Sequence, residues 1–379
     1  MMNKKKVLLV FGTRPEAIKM APIAYALMTD RNIDCKICVT GQHKEMLNQV
    51  LDLFQIQPDY DLAIMKEDQD IFSITTDILN ALKDVLALEK PDLVLVHGDT
   101  ATTLSTTLAC YFMKINVGHV EAGLRTGNIY SPWPEEGNRK LVGAISNIHF
   151  AATEAAKNNL INENVDSNAI FVTGNTVIDA LLHISKKLEN SEIKDKYEKM
   201  FSSFNFKKFI LVTGHRRENL DNGFKNICLA ILELSQKYPE INIVYPVHMN
   251  PRVKNFTDQY LKNVRNIFLI EPQEYVPFIY LMKKSYFILT DSGGIQEEAP
   301  ALGKPVLLMR DTTERPEAVQ AGTVKLVGTD IQKIVDFSSK LIENKEFYNL
   351  MSSSSNPYGD GKASQNILSS LNRYFSSTK

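Results

Sequence analysis

The sequence predicts an α/β protein: two Rossmann-like domains, each built on a parallel sheet, facing a central cleft. Three observations point there. Short apolar runs alternate with helix-length amphipathic segments, the pattern of strands buried on both faces and joined by helical crossovers. The runs fall into two successive sets of about six. The chain, at 379 residues, is longer than one hydrophobic core usually serves.

The first set is Val7–Phe11, Cys35–Thr40, Leu93–His97, Val117–Val120, Ile148–Ala151 and Ile170–Thr173. The second is Phe209–Thr213, Ile243–Val247, Ile267–Ile270, Tyr286–Leu289, Val306–Met309 and Val324–Leu326. Gly174 closes the first set, and the charged stretch Lys186–Lys199 leads toward the second. The expected division is therefore 1–174 and 175–362. An amphipathic helix around Ala363–Tyr374 follows the serines 352–355, and segment 363–379 is expected to pack back on the first domain.

Composition narrows the function classes. There are 43 basic and 44 acidic residues, a formal net charge of -1, so nothing global favours nucleic acid or an anionic membrane as partner. No apolar run approaches the roughly 18 residues that span a bilayer. The basic start, Met1 to Lys6, leads straight into a strand and a functional-looking turn, so it does not read as a signal peptide. A cytoplasmic protein is expected. Cys35 and Cys38 have CxxC spacing but sit in a strand, where residues three apart face opposite sides. With no second CxxC, the four cysteines read as structural in a reducing compartment.

In open parallel sheets, ligands bind beyond the carboxyl ends of strands, so the residues after each strand carry the chemistry. The most telling follow Tyr286–Leu289: Thr290, Asp291, Ser292, Gly293 and Gly294. Asp291 or Ser292 is placed to cap the next helix, and the glycines leave backbone amides open to an anion. Such a turn suits a diphosphate. Glu297 and Glu298, one turn on, are placed to accept from ribose hydroxyls.

After the first strand, Gly12, Arg14, Pro15 and Lys19 form a tight turn and helix start with two cations. This is neither GxGxxG nor a Walker loop. Asp99 follows the third strand and Glu121 the fourth. A loop with the only tryptophan, Trp133, then brings Glu135 and Glu136. A single strand-end acid is often just a helix cap. Several converging on one crevice point to proton transfer or to stabilisation of a cationic sugar. In the second half, His215, Arg216 and Arg217 form a cationic cluster suited to phosphate, and His215 is placed to protonate a leaving phosphate. His248 reads equally as a satisfied loop histidine. Arg315 adds one more cation. No cluster has metal-ligand spacing, and the nicotinamide fingerprint is missing, so neither metal nor cofactor is expected.

These residues resemble a family. The segments Gly12 to Pro22, His97 to Thr100, His119 to Thr126, Ser131 to Glu136, Thr213 to Glu218 and Thr290 to Gly294 are similar to motifs of the bacterial non-hydrolysing UDP-N-acetylglucosamine 2-epimerases. They occur in the family's order, from residue 6 to roughly 370. The resemblance implies a GT-B-like fold with a UDP-binding C-terminal domain, a homodimer, and interconversion of UDP-GlcNAc and UDP-ManNAc for surface polysaccharide. It implies Asp99, Glu121, Glu135 and His215 as the catalytic set. It assigns Arg14, Lys19 and Arg315 to the nucleotide sugar, Gln273 and Phe278 to uracil, Ser292, Gly293 and Gly294 to the diphosphate, and Glu298 to the ribose. It also implies an activating UDP-GlcNAc site at Gln42, His43, Glu136 and His248. There Glu45 and Asp68 stand where the family pattern has a glutamine and an arginine. Both changes add acid where a second anion would bind, so a weak, altered or absent activating site is expected.

The same cradle and cleft would also serve a GT-B glycosyltransferase, which needs an acceptor, or a hydrolysing 2-epimerase, which releases free sugar. A nucleotide-sugar sensor is a third reading. The dense carboxylate set disfavours it, because acids near a bound anion are unfavourable unless chemistry needs them.

Overall fold

The computed structural model describes residues 4–41, 44–66, 69–202, 208–214, 216 and 222–377, with backbone alone at 44 and 45. The chain divides into two compact units, Met1–Ala180 with Tyr358–Lys379, and Leu181–Pro357. The division falls inside the helix Thr176–Lys187, a few residues beyond the expected boundary.

The first unit carries seven strands: β1 (Lys5–Phe11), β2 (Ile33–Val39), β3 (Tyr60–Asp61), β4 (Leu93–His97), β5 (Asn116–Ala122), β6 (Ile148–Ala151) and β7 (Ile170–Val172). They form one sheet in the order β3-β2-β1-β4-β5-β6-β7, and every pairing is parallel. The central strands are apolar throughout because helices cover both faces; Val7 to Phe11 and Leu93 to Val96 are fully buried.

The second unit carries β8 (Phe209–Thr213), β9 (Asn242–Pro246), β10 (Ile267–Ile270), β11 (Phe287–Thr290), β12 (Val306–Leu308) and β13 (Val324–Leu326). Their order is β10-β9-β8-β11-β12-β13, again all parallel. Its core joins Ile210, Val212, Phe224, Ile231, Phe287, Leu289 and Ile334.

Both sheets follow the doubly wound order 3-2-1-4-5-6, which the first extends by a seventh strand, β7. In each, the chain leaves the first strand toward one edge and later returns to build toward the other. The switch points lie between β1 and β4 and between β8 and β11, where ligands settle in such folds. The residues that follow these strands are the ones singled out above. The expected α/β class with two Rossmann-like parallel sheets is what the chain adopts, and each sheet is the half that a GT-B-like fold requires.

The terminal helix, Ala363–Ser377, belongs to the first unit. Buried Asp179 accepts from the Ala363 and Ser364 amides at 3.1 and 2.8 Å and from the Ser364 hydroxyl. A carboxylate from another helix thus satisfies the start of this one. All four cysteines are free. Burial pushes the Cys35 and Cys38 thiols up to about 12, which suits the structural reading.

Candidate active site

The turn after β1 is built for close approach. A Cβ at Gly12 would lie 2.0 Å from Thr40 Oγ1 and 2.5 Å from Thr102 Oγ1, so only glycine fits. Thr13 then caps the helix Arg14–Thr29 in a full capping box with Glu16. Glu16 is buried and does more than cap. It accepts from the Gly12 and Thr13 amides at 3.0 and 2.7 Å and from the Thr100 hydroxyl at 2.7 Å. One carboxylate therefore ties the β1 turn to the β4 turn across the switch point. Burial raises its pKa, opposed by these hydrogen bonds. The Thr13-x-x-Glu16 spacing announces the capping box; the bond to Thr100 has no local signal.

Arg14 is half-buried at the helix start, and Lys19 lies one turn later. The Lys19 ammonium pairs with Glu121 Oε2, both side chains largely buried. Glu121 lies at a register shift near the end of β5, between Val120 and Ala122, with φ of +60°. A left-handed glutamate costs of order 1–3 kcal/mol and persists where surrounding structure imposes it. The bulge re-aims this side chain. Besides Lys19, Asn175 Nδ2 donates to Glu121 Oε2 at 2.9 Å, and His97 Nε2 stands 3.8 Å away.

His97 is buried, and burial pushes its pKa down to about 4. His119 is pushed down to about 3 in the same way, and its Nε2–H donates to Gly98 O at 2.7 Å. Both are neutral at physiological pH, and the second holds the turn that presents Asp99. Asp99 pairs with the Arg139 guanidinium, and Asn138 Nδ2 donates to the Asp99 carbonyl at 2.8 Å. Burial raises the Asp99 pKa, Arg139 opposes that rise, and Glu121 adds to it.

Glu135 and Glu136 open the helix Glu135–Ile145. Glu135 is half-buried, and its Oε2 has no hydrogen-bond partner among the described residues. Glu136 is fully buried. It accepts from the Thr126 and Gly127 amides at 3.0 and 3.1 Å and from Arg139 Nη1 at 3.1 Å.

In the second unit, the Thr213 and Thr290 hydroxyls meet at 2.6 Å across the switch point. Asp291 is fully buried and accepts from the Arg216 amide at 2.9 Å. Ser292 is the N-cap of the helix Gly293–Ala301 but makes no side-chain capping bond. Of the two expected N-caps, Asp291 and Ser292, it is Ser292 that holds the position, without a side-chain bond. Asp291 is turned to the β8 loop, so neither side chain caps the start of this helix.

Gly293 is there for Arg315. A Cβ at Gly293 would sit 2.6 Å from Arg315 Nη1 and 3.3 Å from Glu314 Oε1. Arg315 pairs with Glu297 through Nε and with Glu314 through Nη1 at 2.9 Å. Glu314 also takes Arg310 at 2.7 Å and stands 3.7 Å from Arg216. Burial pushes the Glu314 carboxyl up, but Arg315 and Arg310 override it and hold it down at about 2. Gly294 lies beside Glu298: its Cβ would be 3.9 Å from Glu298 Oε2. Glu298 accepts from Tyr275 Oη at 3.1 Å. Gln273 precedes the helix Tyr275–Lys284, in which Phe278 is half-buried. His248 is exposed, its Nδ1 accepting from the Asn250 amide at 3.1 Å.

His215, Gln42 and His43 lie outside the described residues, as do Arg217, Asp68 and the side chain of Glu45. Sequence reasoning missed Glu16, Arg139, Asn175 and Glu314 as parts of the site. Arg139 carried one signal, its three-residue spacing from Glu136 on a helix. Among the described residues, no group of three or more His, Cys, Asp and Glu side chains is placed to hold a metal ion. None of their helices is long and apolar enough to cross a membrane.

Comparison with known proteins names the family. The model of the UDP-N-acetylglucosamine 2-epimerases matches residues 25–372. The chain belongs to this family. It is 57% identical over 371 residues to the UDP-N-acetylglucosamine 2-epimerase of Yersinia pestis, covering 97% of this chain and 99% of that one. The Escherichia coli K12 enzyme of the same name is 56% identical over 370 residues, covering 97% and 98%. The crystal structure of the UDP-GlcNAc 2-epimerase from Neisseria meningitidis, bound to UDP-GlcNAc, superposes with a TM-score of 0.90 at 57% identity, covering 97% of this chain and 100% of that one.

Proposed function

We propose that this 2-epimerase interconverts UDP-N-acetylglucosamine and UDP-N-acetylmannosamine by elimination and re-addition of UDP, without a redox cofactor. The observation that carries the proposal is the division of labour between the two sets of residues. Part-buried carboxylates paired with Lys19 and Arg139 follow the strands of the first unit. A Ser-Gly-Gly helix start without a side-chain capping bond, beside an arginine cluster, follows those of the second.

The proton on C2 is not acidic, because no carbonyl adjoins it. Breaking the bond from C1 to the UDP oxygen first gives an oxocarbenium-like sugar whose C2 proton is labile. A carboxylate of the set Asp99, Glu121 and Glu135 takes that proton, and the electron pair of the C2–H bond forms the C1–C2 double bond. The products are 2-acetamidoglucal and UDP. The helix amides, Arg315 and His215 stabilise the departing diphosphate. Addition of the same UDP to C1, with protonation of C2 on its other face, completes the inversion. Atoms and charge balance with no outside reactant. The product serves surface polysaccharide synthesis.

The test is incubation of the enzyme with UDP-GlcNAc alone in heavy water. Formation of UDP-ManNAc with deuterium at C2 is expected. No exchange without an acceptor would point to a transferase, and accumulation of free N-acetylmannosamine with UDP to a hydrolysing enzyme; either result overturns the proposal.

A further inference from the structure

We propose that Arg139 is a positioning residue for the reaction: it clamps the Asp99 carboxylate in place, with Glu136 anchoring the guanidinium from behind. The inference rests on the epimerase reading above. Arg139 is the hinge of a three-member chain. One arm of its guanidinium pairs with Asp99, and the other reaches Glu136 at 3.1 Å. Glu136 is in turn fixed by the Thr126 and Gly127 amides and is fully buried. An arginine held at both ends cannot follow a moving carboxylate, so it dictates where the carboxylate stays.

The groups facing Asp99 make this placement matter. They are Arg139 from the helix Glu135–Ile145, Glu121 from β5 and Lys19 from the helix Arg14–Thr29. Lys19 is itself engaged with Glu121. Burial and the Glu121 charge both favour a neutral Asp99, and Arg139 is the principal opposing charge. The main-chain bond from Asn138 to the Asp99 carbonyl fixes the backbone next to the same helix. A lysine at 139 would keep the charge but lose the two-armed geometry; a methionine would lose both.

The test compares wild type, Arg139→Lys and Arg139→Met by the pH dependence of kcat/KM, with thermal melting to confirm folding. The acid limb is expected to move up by about one pH unit in Arg139→Met, roughly a tenfold loss at a pH below both limbs. In Arg139→Lys the limb stays near wild type while kcat falls. Lys140→Met removes a charge from the same helix, one that faces Glu163 at 3.4 Å, and should leave the profile unchanged. Where the methionine variant does not fold, Arg139→Gln takes its place under the same outcomes. An unmoved limb in the neutral variant, or equal displacement in the lysine and neutral variants, overturns the inference. A wild type that fails to exchange deuterium instead sinks the epimerase reading, so the two failures are distinguishable.

Discussion

At the switch point of the first sheet, two carboxylates are each held by a cation: Glu121 by Lys19 and Asp99 by Arg139. At that of the second sheet, one carboxylate, Glu314, is held by two arginines with a third nearby. The first arrangement leaves Asp99 poised upward by burial; the second pins Glu314 at about 2. The order of the first six strands is the same in both, so the difference comes from the residues after the strands. A part-buried acid whose pKa is raised by its surroundings is suited to take and return a proton. An arginine cluster locked in charge can hold a diphosphate without exchanging protons. One fold, used twice, presents two kinds of charge arrangement.

The sharpest way to break this comparison is to neutralise a carboxylate of the first unit. Glu121→Gln should lower kcat by about 10²–10⁴-fold, the usual range for a lost acid–base group, as read by UDP-ManNAc formation. Next comes Gly293→Ala, whose new methyl must displace the Arg315 guanidinium. Loss of one charge-assisted contact to the diphosphate should weaken UDP binding roughly tenfold to a hundredfold, measured by calorimetry.

A smaller effect concerns stability. His149 is buried, and burial pushes its pKa down to about 4 from an ordinary value of 6.5. The unfolded chain therefore binds the proton first as pH falls. The neutral side chain contributes fully above pH 6.5, and that contribution is lost as pH falls toward 4. Urea unfolding of wild type and His149→Gln should show the variant gaining on wild type over that window, by roughly 1–3 kcal/mol. A parallel pair of curves would contradict the buried-neutral assignment. The smallest effect is expected for Thr13→Ala, which removes one side of the capping box and should cost about 1 kcal/mol in thermal or urea unfolding.

Much of the fold was legible because buried parallel strands are written as uninterrupted apolar runs. Leu93–His97, Ile148–Ala151, Phe209–Thr213, Ile267–Ile270 and Val324–Leu326 begin and end where the runs do. The strand Tyr60–Asp61 was not legible, since two residues carry no periodicity. In the site, glycines and strand-end acids were readable because their chemistry is local. The left-handed backbone of Glu121 was not, as nothing in His119-Val-Glu-Ala distinguishes a bulge from a regular strand. Nor were the partners that hold the acids: Asn175 reaches Glu121 from far along the chain, and Arg139 reaches Asp99. Such pairings are set by tertiary packing. Ser292 shows the opposite case, a residue whose type announces a cap that its side chain does not make.

The central claim is that protons are handled by the first unit and UDP is held by the second. Calorimetric titration of UDP into Glu121→Gln and Gly293→Ala, side by side with wild type, tests it most directly. The account predicts near wild-type UDP affinity in Glu121→Gln, despite its lost turnover, and weakened binding in Gly293→Ala. Loss of UDP binding in Glu121→Gln, with binding retained in Gly293→Ala, would contradict it.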